Sequence, residues 1–144
     1  MENVKPEKRI VDFIKKHHVL TLATKSENEL WCANCFYVYD EEENSLIFTS
    51  DIDTRHVSEA LKNNFVAGSI VLETIVIGKI QGIQFQGKFI KPEKEQLKMV
   101  KNKYLLRFPF ATLMNTTLWV VELSHIKMTD NRLGFGKKLI WKKS

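Results

Sequence analysis

An antiparallel β-barrel with helices attached to it is the fold this sequence predicts, and three observations predict it. About six short runs are β-rich or alternate between apolar and polar residues. The early connections between them are of hairpin length, which joins neighbouring strands antiparallel. The three amphipathic helical segments do not alternate regularly with the strands, as a parallel α/β sheet would require.

The elements follow in order. Pro6, then Ile10, Phe13, Ile14 and His17, give an amphipathic helix of about three turns that flanks or lids the barrel. Residues 19–24 are a short strand, 26–29 a turn and 30–39 a longer strand of aromatic and β-branched residues, together a hairpin. The acidic loop 40–44 leads to a third strand, 45–49. Val57, Ala60 and Leu61 then recur at helical spacing behind an N-cap at Asp53 or Thr54. Residues 65–77 are apolar on both faces with Gly68 inside, as expected of a strand buried in a closed or bent sheet, and Gly78 ends it. Residues 79–90 alternate, with Ile83, Phe85 and Phe89 on one face and Gln84, Gln86 and Lys88 on the other. Pro92 opens a helix with the stripe Leu97, Val100 and Tyr104, acidic residues first and basic residues last, the order the helix dipole favours. Residues 118–128 form a long strand, and 139–141 a further short one before a basic end.

The 144 residues, 44% hydrophobic and 27% charged, are ordinary globular composition and enough for one domain with its own core. That domain spans 1–144, with the first helix in 1–18 and a basic segment at 129–144. No apolar run approaches the ~20 residues of a membrane span, and the start lacks the apolar core of a secretory peptide. A cytoplasmic protein without membrane contact is expected. Two cysteines are too few for a disulfide framework. The net charge of +5 is unevenly spread: residues 39–59 hold seven acidic residues against Arg55 alone, and lysines crowd 88–107 and 132–143. Those lysines have no interleaved aromatic ladder, so a solvated face is expected and nucleic acid is not.

The stretch LIFTSDIDTRHVSEALKNNF carries the clearest functional signal. It joins a strand end, a polar turn and a helix whose first turn holds Arg55 and His56. A cation there is disfavoured by the helix dipole by roughly 0.3–1 kcal/mol. It becomes favourable if free backbone N–H groups, the Thr49, Ser50 and Thr54 hydroxyls and the Arg55 fork converge on a phosphate. On that reading, removing Arg55 leaves the empty protein as stable or slightly more so. The alternative is that Arg55 and His56 are ordinary surface residues.

Other chemistry is less supported. Cys32 and Cys35 form a C-x-x-C inside a strand, where positions i and i+3 face opposite ways, so two reduced structural thiols are expected. His17 and His18 end a helix and His125 sits in a strand, none with a second ligand at metal spacing. No serine nucleophile elbow, zinc-protease motif or glycine-rich phosphate loop is present. Any chemistry would therefore rest on a cofactor.

The order of LTLAT, ANCFYVYD, FTS, DTRH opening a helix, and IQGIQFQGKF resembles the pyridoxamine 5′-phosphate oxidase-like FMN-binding split barrels. More narrowly, ELWCANCFYVYD, RFPFA and the terminal KMTDNRLGFGKKLIW look like the small bacterial YhbP family, over residues 11–141. The resemblance implies a six-stranded antiparallel split β-barrel. It implies a flavin ring along Asn34, Cys35 and Phe36, Phe48 and Thr49 at the ring and phosphate side, and phosphate gripped at Arg55 and His56, beside the Ser50 and Thr54 hydroxyls of the local pattern. His56 stands where the family has lysine. A glutamine reaching the flavin from a partner subunit falls at Gln81 or Gln84, and the resemblance implies a homodimer with flavin at its interface, burying the apolar strand faces. The ending Asn131-Arg132-Leu133-Gly134 departs from the basic, histidine-containing substrate motif of the oxidases, which argues against pyridoxal phosphate synthesis. The implied function is an FMN-dependent oxidoreductase of unnamed substrate. The alternative is a non-catalytic module for a flavin, haem or another phosphate ligand, with His56 or His125 as haem candidates.

Overall fold

The computed structural model describes residues 4–113 and 117–144; the first three residues of the 1–18 helical segment lie outside the described residues. Among them are seven strands and three α-helices: α1 (Lys8–Lys16), β1 (Val19–Ser26), β2 (Glu29–Asp40), β3 (Ser45–Ser50), α2 (Arg55–Lys62), β4 (Phe65–Val71), β5 (Gln81–Ile90), α3 (Lys94–Arg107), β6 (Thr117–Asp130) and β7 (Lys138–Lys142). All pairings are antiparallel, in the order β3-β2-β1-β4-β5-β6-β7, and β3 also pairs β6. The result is a closed six-stranded barrel. The long β6 gives one edge to β5 and divides the other, Thr117 to Glu122 facing β3 and His125 to Thr129 facing β7.

Alternation explains closure. Leu20, Leu22, Tyr37, Phe48, Ile70, Ile83, Phe85, Trp119 and Ile126 all turn into one buried core. The first helix plugs it with Ile10, Phe13 and Ile14, and the Tyr37 hydroxyl donates to Ile14 O at 2.7 Å. Ile47 and Val120, on the opposite faces of their strands, instead meet Val100 and Tyr104 of α3, a second small core outside the barrel. Gly68 lets β4 close: a Cβ there would lie 2.2 Å from Thr21 O and 2.3 Å from Phe85 Cζ.

Several sequence expectations are corrected. The fourth strand ends at Val71, not residue 77; Leu72 N still donates to Gln81 O, but Ile75 and Ile77 project into solvent. Apolar content there does not mean burial. Leu61 is 50% exposed and Leu97 is 40% exposed, so α2 buries Glu59 beside Val57 and Ala60, and α3 buries only Val100 and Tyr104. Pro6 precedes the N-cap Glu7 rather than starting the helix. Cys32 is exposed and Cys35 buried, both free, as opposite faces of one strand require.

Candidate functional site

β3 runs out at Ser50, and the turn that follows is closed by Thr54. Its hydroxyl donates to Asp51 O at 2.8 Å and accepts from Val57 N at 3.4 Å, making it the N-cap. The N–H groups of Arg55 and His56, in the first turn, have no acceptor within the helix. Trp119 Nε1 donates to Ser50 O at 2.9 Å, which ties this corner to the seam where β3 meets β6. Ser50 Oγ lies 2.7 Å from His56 Nε2 and 3.5 Å from Cys35 Sγ, and Thr54 Oγ1 is 3.5 Å from His56 Nε2. Thr49 Oγ1 lies 3.2 Å from the Tyr104 hydroxyl.

The structure thus brings Cys35, Ser50, Thr54 and His56 together. Burial holds the His56 imidazole below its ordinary range, so it is neutral at pH 7. Burial raises the Cys35 thiol, against an opposing hydrogen bond from Ser50, so it stays protonated. Cys35 and Phe48 both turn inward, Phe48 against Phe89. This corrects their expected role: either one meets a ligand outside the barrel only through its backbone.

Arg55 is arranged differently from the sequence expectation. Its Nε donates to Glu59 Oε2 at 3.1 Å and its Nη2 to Glu29 Oε2 at 3.2 Å, and the guanidinium carbon sits 4.2 Å from the centre of the Trp31 ring. Glu59, 6% exposed, also accepts from Thr24 Oγ1 at 3.2 Å. The charge that a first helical turn disfavours is therefore met within the protein. Removing Arg55 would strand a buried carboxylate, so a loss of stability is expected in place of unchanged stability. Glu59 was within reach of sequence reasoning, since Arg55 and Glu59 are an i, i+4 pair on one helix face. Glu29 and Trp31 were not, because only the closed hairpin carries them onto α2.

Outside the barrel, cross-strand register aligns Asn34, Thr21, Ser69 and Gln84 as successive neighbours on β2, β1, β4 and β5. The parallel row holds Cys32, Ala23, Ala67, Gln86 and, on β6, His125. The four residues of the first row carry no formal charge, the row continues on β6 to Lys127, and Thr21 Oγ1 donates to Asn34 Oδ1 at 2.8 Å. Phe36, 57% exposed, projects at its edge between His18, stacked at 6.0 Å, and Phe108 at 5.9 Å. His18 and Phe108 were not among the expected site residues. Gln84 lies three strands from Asn34, roughly 14 Å, and so outside contact with it in one protomer. Gln81 turns its amide to Lys79 O at 3.2 Å, away from the cluster. A cavity of about 590 Å³ lies elsewhere, between the 40–44 turn, α3 and Trp141, and none of the expected flavin contacts lines it.

Comparison with known proteins gives the wider setting. No family model matches the chain. A UPF0306 protein of Photorhabdus laumondii is 42% identical over 131 residues, 91% of this chain and 92% of that protein. Among solved structures, a heme binding protein from Mycobacterium smegmatis superposes with a TM-score of 0.77 at 16% identity, over 96% of this chain but only 59% of the other. An FAD-binding protein from Mesorhizobium loti gives 0.70 at 9% identity, over 89% of this chain and 97% of the other. These likenesses show the split-barrel fold, and with the sequence identity they lead to one assignment: the chain belongs to the UPF0306 family.

Proposed function

We propose that this chain, a YhbP-type member of its family, binds FMN on the outer face of β1 and β2 and acts as a flavin-dependent oxidoreductase. The observation that carries the reading is the uncharged row Asn34, Thr21, Ser69 and Gln84 on the outer face, whose Asn34 is the chain neighbour of Cys35, itself 3.5 Å from Ser50 in the corner that holds His56. A flat aromatic ring suits the first, and a phosphate suits Ser50, Thr54, His56 and the two unpaired N–H groups of the helix start. Phe36 and Asn34 would contact the ring, as would the backbone at Cys35. Thr49, and Phe48 only through its backbone, would adjoin it where β3 ends. When bound, the flavin supplies hydride or electron transfer, and the protein supplies position and electrostatics.

One protomer offers an open face here rather than an enclosed pocket. A second copy laid against the same face would enclose the ring and bring its own Gln84 or Gln81 to it, a homodimer with two sites. The residues Asn131-Arg132-Leu133-Gly134, where the oxidases have a basic, histidine-containing motif, argue against pyridoxal phosphate synthesis. Purified protein should be yellow, should quench FMN fluorescence on titration, and should release a flavin identifiable by mass on denaturation. Light scattering should give twice the chain mass. Colourless protein that leaves FMN fluorescence unchanged would end this reading.

A second reading rests on Phe36, His18 and Phe108. Phe36 and His18 are exposed and Phe108 is half-buried; packed on one another they make an aromatic surface on which a flat ligand such as haem would lie without turnover. His125 and His56 are less suited as its ligands, since His56 is tied to Ser50. Bound flavin that NAD(P)H does not reduce, or a haem Soret band on titration, would select it.

A further inference from the structure

We propose that Glu29 competes with the phosphate of the ligand for Arg55, and so sets how strongly this site prefers a phosphorylated flavin over an unphosphorylated one. The inference rests on the flavin reading above and adds Arg55, beside His56 in the first turn of α2, to the donors the phosphate would meet. Arg55 holds two carboxylates of unequal standing. Glu59 is buried at the base of the helix and fixed by Thr24. Glu29 stands at the start of β2, immediately after the two-residue hairpin turn, with its side chain 74% exposed. The guanidinium lies over the Trp31 ring, its carbon 4.2 Å from the ring centre. Nε serves Glu59, and the outer Nη2 is the donor a phosphate would need for a two-bonded contact; Glu29 occupies it at 3.2 Å.

Charge points the same way. With a neutral His56, Arg55 is the only cation of this group, and its two carboxylates leave the group with net charge −1. A phosphate dianion would approach a negative site and, for a two-bonded contact through Nη1 and Nη2, would compete with Glu29. An exposed pair of this kind is weak, so displacement is possible, but it subtracts from the affinity gained. Neutralising Glu29 removes both the competitor and the repulsion, and leaves the buried Glu59 anchor intact.

The test is titration of the full chain and its Glu29→Gln variant with FMN and with riboflavin, in low-salt buffer, followed by flavin fluorescence. The expected result is FMN binding tightened about 3- to 10-fold in Glu29→Gln, riboflavin binding unchanged, and a steeper loss of FMN affinity with added salt. Arg55→Lys in the Glu29→Gln background keeps a cation for Glu59, and it should remove the gain because lysine lacks the planar fork. Equal FMN affinity in wild type and Glu29→Gln overturns the proposal, as does a gain shared by riboflavin; in either case flavin is still bound and the functional reading stands. If neither protein binds either flavin, the functional reading falls and this proposal with it.

Discussion

Replacing Arg55 with alanine should destabilise the protein, and the structure allows the size to be worked out. The lost Nε hydrogen bond to Glu59 is charged on both sides and would be worth about 1.5–3 kcal/mol; because Arg55 is 44% exposed, solvent screening favours the lower end. The stacking on Trp31 adds roughly 0.5–1 kcal/mol at an exposed site. The Glu29 pair adds between about 0 and 1 kcal/mol. Against these, relief of the charge–dipole term returns roughly 0.3–1 kcal/mol. The balance is a loss of about 2 kcal/mol, which with a urea m-value of about 2 kcal/mol/M moves the midpoint down by about 1 M. Urea melts followed by circular dichroism would measure it. Glu59→Gln supplies the control: if Glu59 is the partner that matters, the double variant should lose clearly less than the sum of the singles. An Arg55→Ala midpoint equal to or above wild type would refute the ion-pair account. It would restore the reading in which this arginine waits for an external anion.

Further outcomes follow from other parts of the molecule. Asp130 is held to about 2 by Arg132 first and then by Arg9, so it contributes stability above pH ~4 that is lost as pH falls toward 2. Asp130→Asn should flatten that acid limb in melting temperature against pH. His56, held low by burial, takes up a proton in the unfolded chain first, so it costs stability as pH drops below about 6.5; an anion beside it would raise its pKa, so FMN should bind more tightly at pH 6 than at pH 8, and His56→Gln should remove that slope. In native protein one thiol, Cys32, should react with a disulfide reagent, and Cys35 only after unfolding. Gly68→Ala should cost about 3 kcal/mol or more, because the added carbon meets the Thr21 carbonyl of a neighbouring strand rather than a movable side-chain tip.

What could be read from the sequence depended on whether a pattern was local. β5 was legible because Ile83, Phe85 and Phe89 face a core while Gln84 and Gln86 face out, an alternation visible in one strand. The stretch after Val71 was misread for the opposite reason. Ile75, Val76 and Ile77 are as apolar as core residues, and only the tertiary structure shows them in solvent. At the site, the Thr54 cap and the gathering of Ser50 and His56 follow from a strand–turn–helix sequence. The fate of Arg55 does not, since two of its three partners arrive from a hairpin 24 to 26 residues earlier in the chain. Phe48 was placed on the ligand side by the family resemblance; the parity of β3 turns its side chain inward.

The position of this corner within the barrel limits how it can respond to a ligand. β3 is held on one edge by β2 and on the other by β6, and Trp119 fixes the carbonyl of its last residue. Thr54 then closes the turn with two hydrogen bonds, so the backbone from Ser50 into α2 has little freedom. Cys35, Ser50 and His56 are packed side by side on that fixed frame. The exposed ion pair between Arg55 and Glu29 is the part of the group that can rearrange without breaking a strand, a cap or a buried contact. Ligand binding here should therefore appear as an exchange of partners at one guanidinium, with the barrel unmoved, and its strength should follow the charge at position 29 more closely than any change in the fold.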